Sequence, residues 1–120
     1  MSTPKDITAF MFWVRSRHPK IRPHMEDDLE WRNEGLALIE QGRFGLAGNK
    51  FQKLILSQPK HSDGYEGLAR VYEKTGMYDE ARMLMDHAID LASASAEKGE
   101  TDQNVVNAMK ARRDHLPLGG

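Results

Sequence analysis

Apolar residues recur along much of the chain at the three- and four-residue spacing of amphipathic helices. Leu68 and Tyr72 show this spacing before Gly76, and Leu84 and Ala88 show it afterwards. A glycine just past the end of a helix can adopt a left-handed conformation that costs other residues roughly 1 kcal/mol. Gly76 therefore predicts a tight turn between two helices.

The same arrangement occurs 34 residues earlier, with Gly42 in the place of Gly76. At this offset residues of similar size mostly align, and the pairs are Trp31 with Tyr65, Gly35 with Ala69, Leu38 with Tyr72, Gly42 with Gly76, Phe44 with Tyr78, Ala47 with Ala81, Phe51 with Met85, Leu54 with Ala88 and Ile55 with Ile89. The repeat predicts two helical hairpins, near residues 28–58 and 62–97. Gly35 is expected where two helices cross closely, so Gly35→Leu should overpack the crossing by roughly 1–3 kcal/mol.

The repeat pattern is clearest in residues 31–59, which read WRNEGLALIEQGRFGLAGNKFQKLILSQP. The segment has an aromatic residue, a small residue, a turn, an alanine, an aromatic residue and a closing proline, in an order that resembles the tetratricopeptide repeat. The resemblance implies an all-α fold. In it, two tetratricopeptide helix hairpins, about 28–61 and 62–95, are stacked as a short right-handed superhelix within residues 24–100.

Two positions depart from this pattern. Glu34 stands where the second unit has Leu68, and Ser93 replaces the second closing proline. Without that proline, the last repeat helix is expected to continue toward Gly99.

Two repeats alone rarely bury enough surface, so flanking helices are expected to complete the core. Residues 1–23 predict an N-terminal helix within 4–17, started by Thr3 and Pro4, followed by a proline-containing linker. The apolar stripe of this helix is formed by Ile7, Phe10, Met11 and Val14.

At the other end, residues 101–120 predict a capping helix within 102–115 and a short tail. Thr101 or Asp102 is the expected N-cap residue. The side chains expected to face inward are Val105, Val106 and Met109.

The composition argues against several classes of function. The chain has no cysteine, which excludes disulfides and thiol catalysis and favours a cytoplasmic location. The apolar run 7–14 is too short to span a membrane. Zinc-protease motifs, phosphate loops and nucleophile elbows are absent, and Asp86, His87 and Asp90 form too small a set for a metal site. We predict a non-enzymatic protein with no cofactor, no metal and no nucleic-acid partner.

Charge is unevenly distributed along the chain. Residues 1–24 carry five lysines and arginines against one aspartate, whereas residues 25–100 carry nine against fifteen acidic residues. The basic N-terminal arm is expected to dock on the acidic body of the protein itself.

The resemblance also implies where a partner would bind, because the first helix of each repeat lines a concave face. The predicted groove residues are Leu29, Arg32, Asn33, Leu36, Ile39, Glu66, Arg70 and Glu73. Arg32 and Arg70 are expected to make the polar contacts to the ligand, and Leu36 with Ile39 the apolar ones.

The carboxylate clamp with which some tetratricopeptide proteins hold acidic chaperone tails does not fit this sequence. Leu36 and Gly67 stand at the two positions where that clamp has asparagine. We therefore predict an adaptor or chaperone-like module that binds a peptide or amphipathic helix of another protein.

The alternative function is a structural unit that forms a homo-oligomer. The N-terminal helix is apolar on nearly all sides, as is usual for helices that are covered on more than one side. One side is expected to pack on Leu36 and Ile39 or on the open end of the first repeat. The other side, with Phe10, Phe12 and Trp13, would then meet a second copy. If the helix only caps the first repeat, Phe12 is a single exposed aromatic residue.

Overall fold

The computed structural model describes residues 4, 6–23 and 28–117, with only the backbone described for 28 and 29. The helices are α1 (Ile7–Arg17), α2 (Asp28–Glu40), α3 (Phe44–Ser57), α4 (Ser62–Lys74), α5 (Tyr78–Glu97) and α6 (Gln103–Asp114). No strand occurs in these described ranges. The predicted all-α fold is confirmed: α2 pairs with α3 and α4 with α5, and one helix flanks the hairpins at each end.

The hairpin turns depend on glycine conformation, as predicted. Gly42 and Gly76 have φ angles of 75° and 80°. The amide of Met77 donates to the carbonyl of Tyr72 at 2.8 Å, which is the long hydrogen bond of a Schellman motif. Gly99, with a φ of 78°, lies just past the end of α5. The expected continuation of α5 toward this glycine is therefore confirmed.

The ring of Phe51 on α3 fills a space left by glycines on two neighbouring helices. The Phe51 side chain is fully buried. A Cβ on Gly35 of α2 would lie 2.7 Å from this ring, and a Cβ on Gly67 of α4 would lie 2.1 Å from it. Both distances are far below van der Waals contact, so these two positions need glycine. A single ring therefore sets how closely α3 approaches α2 and α4.

Glu34, which departs from the repeat pattern, lies at the surface of the first hairpin. Its carboxylate accepts from Lys50 Nζ at 2.7 Å, which links α2 to α3. The hydrogen bond to Lys50 lowers the pKa of Glu34. The position therefore carries a surface ion pair in the first repeat and a buried leucine, Leu68, in the second.

The N-terminal helix starts later than predicted because Asp6 caps it. The Asp6 carboxylate accepts from the amides of Thr8 at 2.8 Å and Ala9 at 3.2 Å, so α1 begins at Ile7 and not near Pro4. The other predicted start residue, Thr3, lies outside the described residues.

The placement of α1 also corrects a prediction. α1 lies against α3 and α5, and within the described residues it makes no comparable contact with α2. The apolar side chains of Phe10 and Val14 are fully buried in the core. The prediction that α1 packs on Leu36 and Ile39 of α2 is therefore wrong, because its apolar stripe finds cover on the second helices of the two hairpins.

The C-terminal helix packs on α5 and begins at the predicted cap. Asp102 accepts from the amide of Asn104 at 2.8 Å. Val106 and Met109 are buried, as expected, but Val105 is 47% exposed. The prediction that Val105 faces inward is wrong, because adjacent residues of a helix point about 100° apart.

His87 of α5 packs edge-on against the ring of Tyr65 on α4, with the ring centroids 4.6 Å apart. Burial lowers the pKa of His87 below its usual 6.5, although the charge of Asp90 opposes this. Burial also raises the pKa of Tyr65 to about 12. The Tyr65 hydroxyl donates to the carbonyl of Pro59 at 2.8 Å, so it is anchored in the α3–α4 turn.

We expect Gly67→Ala to destabilise the protein, because the added methyl group would overlap the ring of Phe51. Overpacking of this kind lowers the free energy of unfolding by roughly 1–3 kcal/mol, which urea denaturation would measure. Gly48→Ala is the matched control, since a Cβ there would meet nothing closer than 3.7 Å. Helix propensity should make that variant up to about 1 kcal/mol more stable. The double mutant Gly67→Ala/Phe51→Leu tests the cause. If Gly67→Ala lowers the free energy of unfolding as much in the Phe51→Leu background as in the wild type, overlap with the ring does not cause the loss.

We also expect acid to weaken the fold partly through His87. The pKa of His87 is lower in the folded chain than in the unfolded chain, so the unfolded state takes up the proton first as the pH falls below about 6.5. This contribution to stability is present above that pH and is lost below it. Free energies of unfolding at a series of pH values should fall less steeply for His87→Phe than for the wild type. Parallel curves for the two proteins would contradict the prediction.

Candidate functional site

A small cavity lies between the first helices of the two hairpins, and we call it the α2–α4 cavity. Its volume is about 90 Å³, and its lining residues are Arg32, Leu36, Phe51, Asp63, Glu66, Gly67 and Arg70. Four of the eight predicted groove residues are therefore brought together here, namely Arg32, Leu36, Glu66 and Arg70. The cavity has room for one small side chain of a ligand.

Sequence analysis did not predict two of the residues that line this cavity, Phe51 and Gly67. In the sequence Phe51 is recognised only as the repeat equivalent of Met85, and Gly67 only as a position that lacks the clamp asparagine. In the structure the ring of Phe51 occupies the space that a side chain at position 67 would need. The signal in the sequence was Gly67 itself, a glycine inside a helix where it lowers helix propensity without making a turn.

Both arginines of the cavity are paired with carboxylates. Arg32 Nε lies 3.6 Å from Asp63 Oδ2, so this ion pair joins α2 to α4. Arg70 Nη2 donates to Glu66 Oε1 at 3.2 Å along α4. All four side chains are partly exposed. The α2–α4 cavity thus has an apolar floor, a formal charge of zero and two polar pairs that solvent can reach.

The other predicted groove residues lie elsewhere or are not described. Glu73 accepts from Arg112 of α6 at 3.1 Å and does not line the cavity. Ile39 is half-buried against the core, and Asn33 is exposed but outside the cavity lining. The side chain of Leu29 falls outside the described residues.

A larger opening, the α1–α3–α4 groove, lies on a different part of the surface. Its volume is about 300 Å³, and it is bordered by Trp13 and Arg17 of α1 and by the N-terminal half of α3.

The three residues predicted for self-association differ in how far their side chains are exposed. Phe12 is 71% exposed, Trp13 is half-buried at the groove, and Phe10 is fully buried. Phe10 therefore cannot belong to an exposed association surface, because its side chain is part of the core.

Comparison with known families agrees with this geometry. Residues 50–83 match the family model described as tetratricopeptide repeat. This segment of the chain is a tetratricopeptide repeat. The match extends from α3 through α4 into α5, so it spans the contact between the two hairpins. No curated protein and no solved structure shows significant similarity to the chain.

The tetratricopeptide assignment indicates a protein–protein interaction module. No three histidine, aspartate or glutamate side chains among the described residues are grouped so that they could hold a metal ion. Asp86, which the sequence analysis considered with His87 and Asp90 as a possible metal ligand, accepts a hydrogen bond from Arg113 at 3.1 Å. None of the helices in the described part of the chain is long and apolar enough to cross a membrane.

Proposed function

We propose that this tetratricopeptide protein is a non-enzymatic module that binds a short segment of a partner protein at the α2–α4 cavity. The observation that carries the proposal is the ring of Phe51 at the floor of that cavity, between two arginine–carboxylate pairs. A small apolar side chain of the ligand would lie above the fully buried ring and contact the partly buried Leu36. Leu36, at the rim, would cover it from the side of α2.

The arginine pairs suit this role because they can be exchanged at little cost. A partly exposed ion pair contributes only about 0–1 kcal/mol to stability. A carbonyl or carboxylate of the ligand can therefore take the place of Asp63 at Arg32, or of Glu66 at Arg70, without a large loss elsewhere. The released carboxylates would in turn accept from amide groups of the ligand. This favours a peptide or an amphipathic helix over a free anion.

An adaptor or chaperone-like role and a cytoplasmic location remain part of this proposal. The size of the cavity supports recognition of a single side chain within a linear segment.

The experiment compares capture of proteins from a native lysate by immobilised wild type, Leu36→Glu and Ala37→Glu. Leu36 lines the cavity, whereas its neighbour Ala37 is exposed on the same helix outside it. We expect Leu36→Glu to lose the captured partner, because a carboxylate at the rim opposes apolar contact, and Ala37→Glu to retain it. Burial of one aliphatic side chain contributes about 1.5–3 kcal/mol, which corresponds to a loss of affinity of about tenfold or more.

Circular dichroism of both variants provides the control for folding. Equal capture by the two variants would contradict the proposal. An unfolded Leu36→Glu protein would show that Leu36 serves the core and not the ligand.

Self-association through α1 is a second candidate, favoured by the high exposure of Phe12. Deletion of residues 1–17 cannot test it, because that deletion also removes Phe10 and Val14 from the core. The candidate predicts a concentration-dependent sedimentation coefficient that Phe12→Ser abolishes. Val105→Ser, at another exposed apolar position, should leave the coefficient unchanged. A wild-type protein that sediments as a monomer at every concentration would exclude this candidate.

A further inference from the structure

The arginines of the chain fall into two groups that differ in their partners. Five of the six arginines after position 30 lie within 4 Å of a carboxylate, and the pairs are Arg32 with Asp63, Arg70 with Glu66, Arg82 with Asp79, Arg112 with Glu73 and Arg113 with Asp86. By contrast, the exposed cations Arg15, Arg17, Lys20 and Arg22 have no carboxylate partner among the described residues. Among the described residues these four side chains therefore form no ion pair with the acidic body, and the acidic side chains of residues 26–28 lie outside the described part of the chain.

Arg17 is held in place although its charge is not neutralised. Its Nε donates to Gln52 Oε1 at 3.1 Å, and its Nη2 donates to Asn49 Oδ1 at 3.3 Å. The guanidinium carbon also lies 5.0 Å from the centre of the Trp13 ring. Amide oxygens and an aromatic ring orient a cation without cancelling its charge. Arg17 is thus a fixed cation at the edge of the α1–α3–α4 groove.

The groove beside Arg17 can admit an apolar side chain. Gly45 and Gly48 of α3 keep it open, and Leu68 and Val71 of α4 provide apolar walls. Its volume of about 300 Å³ is more than three times that of the α2–α4 cavity, about 90 Å³.

The groove also offers a hydrogen-bond donor. Gln52 lines it and is only 5% exposed, and its Oε1 also lies 2.9 Å from His18 Nε2. Because Arg17 Nε can only donate, Oε1 is the acceptor for both neighbours. No buried side-chain nitrogen or oxygen among the described residues lacks a hydrogen-bond partner. The amide nitrogen of Gln52, whose two contacts above both use Oε1, therefore lies where a backbone carbonyl of a ligand can reach it.

We propose that the α1–α3–α4 groove binds an acidic segment of another protein. An apolar side chain of that segment enters beside Gly45 and Gly48, a carboxylate pairs with Arg17, and a carbonyl accepts from Gln52. Charge complementarity selects an acidic partner, because Arg17 borders the groove with no carboxylate partner among the described residues, and the exposed Lys20 and Arg22 add positive charge further along the same segment. This site is separate from the α2–α4 cavity and does not depend on the function proposed there.

An acidic protein segment fits these features better than an anionic membrane. Membrane-surface helices present a broad apolar face to the lipid. The apolar stripe of α1 is instead turned into the fold, with Phe10 and Val14 fully buried, and Phe12 is its only highly exposed large apolar residue among those described. A cleft that combines an amide donor with apolar walls provides recognition of a polypeptide, which a lipid surface would not use.

The test uses a fluorescent ten-residue peptide that carries one phenylalanine and one leucine among aspartates and glutamates. A matched peptide with lysines in place of the acidic residues is its control. Amide spectra of the ¹⁵N-labelled protein locate the site, because Gly45 and Gly48 line the groove whereas Gly67 lines the α2–α4 cavity. We expect saturable shifts at Gly45 and Gly48 with the acidic peptide alone, and weaker binding as the salt concentration rises.

Two substitutions test the two halves of the site. Arg17→Gln should weaken binding of the acidic peptide about tenfold or more, since it removes a charge-assisted contact, and Lys98→Gln should not weaken it. Gly45→Leu should block the groove without disturbing the fold, because a Cβ there meets nothing within 4 Å. Ala37→Leu, at an exposed position of α2, is its control.

Four outcomes would overturn the proposal. They are equal binding of both peptides, shifts confined to Gly67, affinities unchanged by Arg17→Gln and Gly45→Leu, and binding to vesicles of anionic phospholipid without binding to the peptide. Thermal unfolding of each variant shows that a loss of binding is not a loss of fold. Because the readouts at Gly45 and Gly67 are distinct, failure here leaves the function proposed for the α2–α4 cavity untouched.

Discussion

The packing of the Phe51 ring between Gly35 and Gly67 is the constraint on which the rest of the structure depends. One contact lies within the first hairpin and the other lies between hairpins, so the same ring fixes both the closure of a repeat and the stacking of its neighbour. Protein interiors are close-packed and adjust little, so a side chain at either glycine would have to move a helix. In the second repeat the equivalent positions hold Met85 and Ala69, both buried, and methionine is a flexible side chain that adapts to irregular gaps.

This packing also determines what the α2–α4 cavity can recognise. Because position 67 has no side chain, the ring below it forms the floor of the cavity and the clamp asparagine cannot be accommodated. The floor belongs to the core and is therefore rigid before a ligand arrives, which reduces the ordering cost of binding. The rim is different, since Arg32 and Arg70 belong to exposed pairs that can rearrange. A rigid apolar floor with an adjustable polar rim suits a ligand defined by one side chain.

The sequence predicted the features that depend on local periodicity. The turns at Gly42 and Gly76 and the cap at Asp102 follow from residues close together in the chain, and all three were predicted correctly. Features that depend on distant partners were not predictable. The stripe of α1 showed which of its sides is apolar but not which helices cover it. Glu73 was assigned to the groove from its place on the first helix of a repeat. Its pairing with Arg112, 39 residues away, could not be recognised in the sequence.

The distribution of ion pairs gives the two openings different requirements for a ligand. At the α2–α4 cavity every cation has a carboxylate beside it, so a charged ligand must separate one partly exposed pair before it forms another. Since such pairs contribute only about 0–1 kcal/mol, the exchange gives little net gain. At the α1–α3–α4 groove Arg17 is already positioned by neutral oxygens, and a carboxylate gains a charge-assisted contact without displacing another anion. Shape and apolar contact should therefore dominate selectivity at the first opening, and charge at the second. Because α1 borders only the second opening, its Arg17 adds to the surface of the helical hairpins a cation that the first opening does not have.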